Sequence, residues 1–467
     1  MQAVEQPILR DIVLIGGGHS HVVVLKSFAM KPIPGVRVTV ICTDTHTPYS
    51  GMLPGYVAGH YDYDEVHIDL SRLAAYAGAR LYRDEVIGID RANKKVLCRQ
   101  RPPVPYDHLS INIGSTPQLK PVPGAAEHAV AVKPIRQFNE RWLSLLERVK
   151  QHQGKTTIAI VGAGAAGVEL ALAMQFRLRN ELVALGRNAD DVSFQVFSST
   201  AEILPTHNAR VRRRFEQVLA ERGVRVHRGA AVDRVAERQL MTASGETFAA
   251  DEIVWVTSAG GAAWLEQTGL SRDENGFIYV SDTLQTVTDP NVFAAGDIAH
   301  MTNYTFEKAG VFAVRMGPPL AENLRRAVAG VALEPYRPQT HWLALISTGD
   351  KYAVASRDWL GFWGAWVWRW KDWIDRRFMT KFQTFPAMTD NASSTPPAQS
   401  AVALTQEESL QAISAIAMRC GGCGAKVGAT VLSRALSNLH PVQRDDVIIG
   451  LNDPDDAAVV RVPLGKA

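Results

Sequence analysis

Three glycines at positions 162, 164 and 167 form the pattern G-x-G-x-x-G between an apolar run and a helical stretch. The first permits a tight turn, the second lets the backbone approach a pyrophosphate, and the third lets a helix close on a strand. A helix starting at Ala165 would direct unpaired N–H groups and partial positive charge at phosphates. The pattern predicts a dinucleotide site, and a glycine turn that serves packing alone is the alternative interpretation.

An imperfect copy of this pattern lies near the start of the chain. His21 stands where the third glycine would be, so we expect it to hold the helix further from the strand or to force a local adjustment. Asp44 lies just beyond the next strand, where a carboxylate can hold a ribose, and a solvated turn aspartate is the alternative. The residues of this copy predicted to contact a nucleotide are Gly16, Gly18, His19, Ser20 and Asp44.

A third chemical feature is the pair Gly296-Asp297, which directly follows the apolar stretch 291–295. A carboxylate at a strand end can accept a hydrogen bond from a ligand hydroxyl. Strand, turn and helix alternate through 11–41 and again through 155–197, and an amphipathic helix over 135–149 connects the two units. This alternation predicts an α/β fold with two Rossmann-like dinucleotide-binding domains built on parallel sheets.

The two βαβ units and the late Gly-Asp pair, in this order, resemble the pyridine nucleotide-disulfide oxidoreductase family. The resemblance implies that the first unit binds FAD, that the second binds NAD(P)H, and that Asp297 holds the flavin ribitol. It also implies an FAD-binding domain at 8–125 and 271–330 and an NAD(P)H-binding domain at 126–270. Further residues implied to line the cofactors are Gly114, Ser198, Gly260, Gly296 and Ala309.

The resemblance places a helix start at 306–311 under the flavin pyrimidine, where its positive end would stabilise an anionic reduced flavin. Lys308 would add charge there as a catalytic candidate, and a plain surface lysine is the alternative. At the donor site, Ser198 replaces the usual ribose-binding glutamate, and no adjacent arginine welcomes a 2′-phosphate. NADH and NADPH therefore both stay open as donors.

The redox disulfide that gives this family its name is missing, because neither Cys42 nor Cys98 has a cysteine two to five residues away. This excludes a dithiol relay and favours direct transfer from flavin to acceptor, as in type II NADH dehydrogenases. The loop at 48–55 is a candidate acceptor-facing wall, or an irregular loop packed on the core. The predicted acceptor is a small molecule, either a quinone or an oxidised selenium or sulfur species.

The chain has 467 residues, a net charge of +3 and four cysteines, which excludes a disulfide framework and is far from a nucleic-acid-binding signature. No apolar run approaches the ~18 residues that span a bilayer. We therefore predict a cytoplasmic protein that binds no nucleic acid, with a homodimer and peripheral membrane contact both left open.

The region 331–386 is rich in Trp and Arg and precedes a predicted linker at 387–410. Its aromatic residues fall on one face of a predicted helix. We expect that face to dock onto the flavin domain, and a helix lying in a membrane interface is the alternative. The residues of this face are Trp366, Val367, Trp370, Trp373, Ile374 and Phe378.

The segment 411–467 resembles the N-terminus of selenophosphate synthetase (selenide, water dikinase). The resemblance implies Cys423 and Lys426 as catalytic residues and Asp456 as a Mg²⁺ ligand, the metal being required only in a complete domain. Half of a zinc site formed by Cys420 and Cys423 is the alternative. Because the match covers only about the last fifty residues, we expect no dikinase activity from this piece alone.

The chain plan looks like the oxidoreductase found fused ahead of selenophosphate synthetase. We therefore predict an FAD-dependent NAD(P)H oxidoreductase that is linked to selenium metabolism. Two rival functions stay open: a bifunctional protein whose ATP-dependent transferase activity is lost by truncation, and a flavin-bound sensor.

Overall fold

Two parallel sheets, each entered through a strand that ends in a glycine turn, form the main part of the computed structural model. The structure describes residues 8–385 except 118, 120, 153 and 258, together with 402–405, 408, 447–449 and 459–460. Ile8–Ala403 form one compact unit, and the described residues from 404 onward belong to another. The predicted catalytic residues Cys423 and Lys426 and the predicted metal ligand Asp456 lie outside the described residues.

The helices within the described residues are α1 (His19–Met30), α2 (Leu53–Val57), α3 (Tyr63–Val66), α4 (Leu70–Tyr76), α5 (Ala125–His128), α6 (Ile135–Gln151), α7 (Ala165–Ala184), α8 (Ala209–Glu221), α9 (Gly310–Val328) and α10 (Ala365–Gln383). The strands up to the second glycine turn are β1 (Arg10–Ile15), β2 (Val36–Cys42), β3 (His46–Pro48), β4 (His67–Asp69), β5 (Arg80–Arg83), β6 (Val86–Asp90), β7 (Lys95–Cys98), β8 (Val104–Pro105), β9 (His108–Ile111), β10 (Thr116–Pro117), β11 (Val130–Ala131) and β12 (Thr156–Val161). The later strands are β13 (Val192–Phe197), β14 (Arg225–His227), β15 (Val232–Ala236), β16 (Gln239–Thr242), β17 (Thr247–Ala249), β18 (Glu252–Trp255), β19 (Ala259–Gly260), β20 (Ile278–Val280), β21 (Val292–Ala294), β22 (Ala299–Met301), β23 (Ala344–Ser347), β24 (Ala353–Arg357), β25 (Leu360–Gly364), β26 (Val447–Ile449) and β27 (Val459–Val460).

The first sheet has the strand order β21-β9-β1-β2-β5, and every pair in it is parallel. Its central strand β1 is fully buried from Ile12 to Leu14, as expected of a sheet covered on both faces. Strand β21 joins β9 from a distant part of the chain, which brings the carboxyl end of β21 beside the glycine turn after β1. The Gly296-Asp297 pair follows that end directly.

The second sheet repeats the plan with the order β11-β18-β12-β13-β14, again all parallel. Helix α6, predicted over 135–149, is observed over Ile135–Gln151 and buries one face against this unit. The predicted α/β class with two parallel sheets is therefore confirmed, and the domain boundaries stay predictions. Among the described residues, no helix combines the length and the apolar character that crossing a bilayer requires.

Helix α10 follows the small antiparallel sheet β23-β24-β25 and corrects one prediction. The predicted face docks only in part: Val367 is buried and Phe378 is half-buried. Its three tryptophans do not dock, because Trp366, Trp370 and Trp373 are 53%, 39% and 55% exposed. The buried stripe instead contains Lys371 and Asp375 in its middle. This stripe can be buried because the two charges pair with each other, with Nζ 2.7 Å from Oδ2. The full buried stripe is Val367, Lys371, Asp375, Met379 and Phe382.

Candidate functional site

The first glycine turn leaves β1 at Gly16, which has a φ of +91°. A Cβ on Gly16 would lie 2.5 Å from the carbonyl oxygen of Asn112, so both the backbone angle and the space require glycine. Gly18 is the N-cap of α1, and its N–H donates to the same carbonyl at 3.2 Å. The turn is thus held tightly against the residue that follows β9.

Asn112 joins this turn to the end of β21, and the sequence analysis missed it. Its buried side-chain Oδ1 accepts hydrogen bonds from the N–H groups of Ser20 (3.0 Å) and His21 (3.2 Å). Its Nδ2 donates to the carbonyl of Ala295 at 2.6 Å. One amide therefore fixes the first turn of α1 and the strand end that carries Gly296. The available signal was a polar residue between the apolar strand β9 and a glycine.

His21 makes the local adjustment that its position in place of glycine required. Its ring is fully buried, with Nδ1 2.7 Å from the Gly16 carbonyl and Nε2 2.9 Å from the Ser110 hydroxyl. Burial lowers the pKa of His21 to about 4, against the opposing effect of the Gly16 carbonyl. The neutral ring thus joins helix and strand. Ser20 is also turned away from any ligand, because its hydroxyl donates to the Ala313 carbonyl at 2.6 Å.

Asp297 lies in a hydrogen-bonded group with Ser115 and Lys133. Its Oδ2 accepts from Lys133 Nζ at 2.9 Å and from Ser115 Oγ at 3.1 Å. Burial opposes ionisation, but the nearby ammonium and these hydrogen bonds outweigh it and hold the pKa of Asp297 below its usual value. Asp297 is therefore a carboxylate at neutral pH, as a hydroxyl acceptor must be. Lys133 carried no recognisable motif in the sequence.

The N-terminus of α9 points into the same region. Ala309 is its N-cap, and a Cβ on the first residue, Gly310, would lie 2.9 Å from the Ser50 hydroxyl. Lys308 Nζ donates to the Ala299 carbonyl at 2.6 Å and lies 4.2 Å from the centre of the Phe277 ring. Partial burial lowers the pKa of Lys308 to about 8, although Asp297 and Asp273 pull the other way. Lys308 is thus packed near the site.

His19 and the 48–55 loop form an aromatic group beside the first turn. The His19 ring meets Tyr49 edge to face, with centroids 5.5 Å apart, and Tyr49 stacks on Phe378 of α10 at 4.6 Å. Burial lowers the pKa of His19 to about 4, against an opposing effect from Asp297. Its Nε2 is buried and has no hydrogen-bond partner among the described residues. An unpartnered buried nitrogen of this kind fits a contact with a ligand bound beside the first glycine turn.

Asp44 lies beyond the carboxyl end of β2, half-buried, and its Oδ1 accepts a hydrogen bond from the His46 N–H at 3.0 Å. Gly114 and Gly260 come close through the pairing of β10 with β19, where the Thr116 hydroxyl donates to the Gly260 carbonyl at 3.2 Å. The segments that carry these two residues, both implied by the resemblance to line the cofactors, are thus neighbours in space.

The second glycine turn, between β12 and α7, has the same geometry. Gly162 has a φ of +119°, and a Cβ there would lie 2.7 Å from the Val256 carbonyl. A Cβ on Gly164, the N-cap of α7, would meet nothing within 4 Å, so this glycine faces open space where a phosphate can approach. A Cβ on Gly167 would lie 1.9 Å from the Gly162 carbonyl. Ala165 begins the helix.

Ser198 directly follows β13, and its hydroxyl is turned into its own loop, 3.1 Å from the Thr200 hydroxyl. The neighbouring strand end contributes an arginine that sequence adjacency did not reveal. Arg228 lies between His227, whose carbonyl accepts from the Ser198 N–H, and Gly229, whose N–H donates to Thr200. Its guanidinium pairs with Glu216 of α8 at 2.9 Å.

The two described cysteines, Cys42 and Cys98, are buried and free. Burial raises the pKa of each thiol to about 11, so neither is a thiolate at neutral pH. Within the described residues, neither of these cysteines is paired in a disulfide.

Residues 10–325 match the family model for pyridine nucleotide-disulphide oxidoreductases. The chain belongs to this family. The match spans both glycine turns and Asp297, so the chain is a flavin oxidoreductase with NAD(P)H as donor, of the NADH dehydrogenase-like type.

Similar proteins agree with this assignment. The NADH dehydrogenase-like protein YutJ of Bacillus subtilis is 24% identical over 362 residues, covering 76% of this chain and 95% of that protein. In fold, NDH2 of Plasmodium falciparum, solved with NADH, has a TM-score of 0.68 at 14% identity, covering 80% of this chain and 98% of that one. The sulfide:quinone oxidoreductase of Aquifex aeolicus has a TM-score of 0.67 at 17% identity, covering 80% and 91%.

Proposed function

We propose that this protein oxidises NAD(P)H and passes the electrons through bound FAD directly to a quinone. One observation carries the proposal: the Asn112 amide holds the N-terminus of α1 next to the strand end that precedes Asp297. We call this strand end, together with the N-termini of α1 and α9, the FAD cradle. In the overall reaction, NAD(P)H loses a hydride, which carries two electrons and a proton. Solvent supplies the second proton, and the quinone becomes a hydroquinone.

The chain's own residues divide into those that would hold FAD and those that would hold the donor. Bound FAD supplies the two-electron chemistry that connects the donor with the acceptor. Its pyrophosphate fits the N-terminus of α1, and its hydroxyls suit the carboxylates of Asp44 and Asp297. The other proposed FAD residues are Gly16, Gly18, His19, Ser20 (through its backbone), Gly114, Gly296 and Ala309. The proposed donor residues are Gly162, Gly164, Ala165, Gly167, Ser198 and Gly260.

Lys308 and the N-terminus of α9 supply positive charge to the same cradle. Below pH 8 the ammonium adds to the partial charge of the helix and favours a negatively charged cofactor. As pH rises through about 8 the lysine loses its proton, and this contribution disappears. The cofactor should then accept electrons less readily.

An anaerobic titration tests the proposal. Purified protein reconstituted with FAD should be yellow, should bleach with one equivalent of NADH or NADPH, and should regain its colour when a short-chain quinone is added. Protein that stays colourless with excess FAD would refute the proposed FAD site. Bleaching without reoxidation would refute the proposal that a quinone is the acceptor.

An oxidised selenium or sulfur species is the second candidate acceptor, favoured by the resemblance of 411–467 to selenophosphate synthetase. Neither Cys42 nor Cys98 has a second cysteine nearby in the sequence, and this suits direct transfer from the flavin to either acceptor. Comparing reoxidation rates with the quinone and with selenite-derived persulfides separates the two. A faster reaction with the persulfides would indicate that the acceptor is a selenium or sulfur species rather than a quinone.

Peripheral membrane contact is a further part of the proposal. Five large aromatic side chains around β25 and α10 are exposed, and Trp is suited to the boundary between lipid and water. The exposed residues are Trp359, Phe362, Trp366, Trp370 and Trp373. The protein should sediment with anionic vesicles at low salt, and a triple serine variant at 366, 370 and 373 should not. Wild-type protein that stays in the supernatant would contradict membrane contact.

A further inference from the structure

The helix α10 contacts the flavin-binding part of the chain through a buried ion pair as well as through aromatic stacking. Lys371 and Asp375 are only 8% and 4% exposed, one helical turn apart. Removing two charges from water is costly, and an apolar pair of similar volume commonly serves stability as well or better. The pair therefore calls for a role besides holding the helix in place.

The ion pair contacts the 48–55 loop, the candidate acceptor-facing wall, through its lysine. Lys371 Nζ donates to the Gly51 carbonyl as well as to Asp375. The Tyr49 ring lies against Gly51, because a Cβ on that glycine would be 3.1 Å from the ring atom Cε1. Burial together with the negative charge of Asp375 raises the pKa of Tyr49. The pair thus fixes the backbone of the loop at Gly51 and its aromatic ring at Tyr49.

The fixed ring belongs to the aromatic group already described, in which Tyr49 lies between Phe378 and His19. His19 follows the first glycine turn, and Ser50 lies against the start of α9. The loop therefore connects α10 with both helix N-termini of the FAD cradle.

A second carboxylate, from helix α7, interacts with the same lysine. Glu169 of α7 interacts electrostatically with Lys371 and Asp375, and it accepts the Ser347 N–H at 2.6 Å. Burial raises the pKa of Glu169, against the opposing effect of Lys371. Lys371 thus interacts with the loop, with its own helix and with α7.

We propose that Lys371 and Asp375 are positioning residues of the acceptor site, which hold Tyr49 and Gly51 as a fixed aromatic wall for a planar acceptor ring. This inference rests on the proposed function. It predicts that loss of the pair slows reduction of the acceptor and not reduction of the flavin, because the pair orders the wall and contacts neither glycine turn. A displacement of about 1 Å in such a wall can slow a reaction by ~100-fold.

The test measures the two half-reactions separately by anaerobic stopped flow. In Lys371→Met and Asp375→Leu, flavin reduction by NAD(P)H should stay within about twofold of wild type, while reoxidation by a short-chain quinone should slow by about tenfold or more. Tyr49→Phe, which keeps the ring and removes the hydroxyl, should reoxidise at a rate between those of these two variants and wild type. The matched control is Arg369→Met, which removes an exposed charge from the same helix.

Hydrogen exchange gives a readout that does not depend on turnover. The backbone amides of 48–55 should exchange faster in Lys371→Met than in wild type. In Arg369→Met their exchange rates should equal those of wild type. The double variant Lys371→Met/Asp375→Leu guards against misfolding, because it removes both members of the buried ion pair. It should melt near wild type yet reoxidise slowly.

Wild-type reoxidation rates in the double variant, or equal losses in both half-reactions, would overturn the inference. Wild-type protein that NAD(P)H cannot bleach would instead overturn the proposed function.

Discussion

The two glycine turns share one backbone plan but differ in how the following helix is held. In each, a glycine with positive φ lies against the carbonyl of the residue after the neighbouring strand, Asn112 in the first and Val256 in the second. In the second turn Gly167 brings the helix against Gly162 directly. In the first, the His21 ring and the Asn112 amide make the connection instead.

This difference shows that the third glycine can be replaced when polar side chains bridge the gap it would have closed. The first turn becomes dependent on two buried polar groups, and an unsatisfied buried group is costly. The second depends only on close packing. Substitutions in the first turn should therefore destabilise the protein by leaving buried polar groups without partners, and substitutions in the second turn by disturbing close packing.

Replacing Asn112 should have the largest effect. Asn112→Leu leaves the N–H groups of Ser20 and His21 and the Ala295 carbonyl without a partner, at about 1–3 kcal/mol for each group that stays buried. The variant should lose most of its FAD, as measured by flavin absorbance per chain after gel filtration. Asn112→Asp keeps the acceptor oxygen and should retain more. Equal flavin content in all three proteins would show that the amide does not hold the cradle.

Alanine substitutions separate packing from ligand space in the second turn. Gly167→Ala forces a Cβ against the Gly162 carbonyl and should cost about 1–3 kcal/mol of unfolding free energy together with donor affinity. Gly164→Ala enters open space, so it should weaken NAD(P)H binding with no loss of melting temperature. Both should keep their flavin. Loss of stability in Gly164→Ala would contradict the ligand-facing role of that glycine.

The buried His21 predicts a pH dependence that belongs to the first turn alone. In the folded protein the pKa of His21 is about 4, below its ordinary value of 6.5. Between these two pH values the ring is protonated in the unfolded chain and neutral in the folded protein. Stability should therefore fall as pH drops, by ~2 kcal/mol between pH 7 and pH 5 from this residue. Urea unfolding at both pH values measures the fall, which should be smaller in His21→Gln. An unchanged pH dependence would show that the ring is not the cause.

Donor choice should show the smallest effect. Ser198→Glu places a carboxylate where a ribose hydroxyl can be accepted and a 2′-phosphate is repelled. The ratio of kcat/KM for NADPH over NADH should fall by about tenfold, a free-energy change of ~1.4 kcal/mol. Arg228→Ala should lower the same ratio by a smaller factor, with Arg225→Ala as the control. A ratio that rises in Ser198→Glu would contradict the assignment of this strand end to the ribose.

The sequence alone determined the class of fold and the location of both turns. Apolar runs identified β1, β2, β12 and β13, and glycine spacing identified the helix starts after them. These signals are local, because strand burial and turn sterics act between residues that are near neighbours in the chain. The same reasoning wrongly placed three tryptophans of α10 in the docked face, since hydrophobicity gave no indication that a lysine and an aspartate would be buried instead.

Only the tertiary structure identified the residues that hold the site together. Asn112 bonds a carbonyl 183 residues away, Lys133 bonds a carboxylate 164 residues away, and Lys371 bonds a carbonyl 320 residues away. Two of these partners are backbone carbonyls, which every residue type offers equally, so no residue pattern marks them. The chain's local spacing could specify that two nucleotide turns exist, whereas the side chains that complete them depend on which distant segments the folded sheets bring into contact.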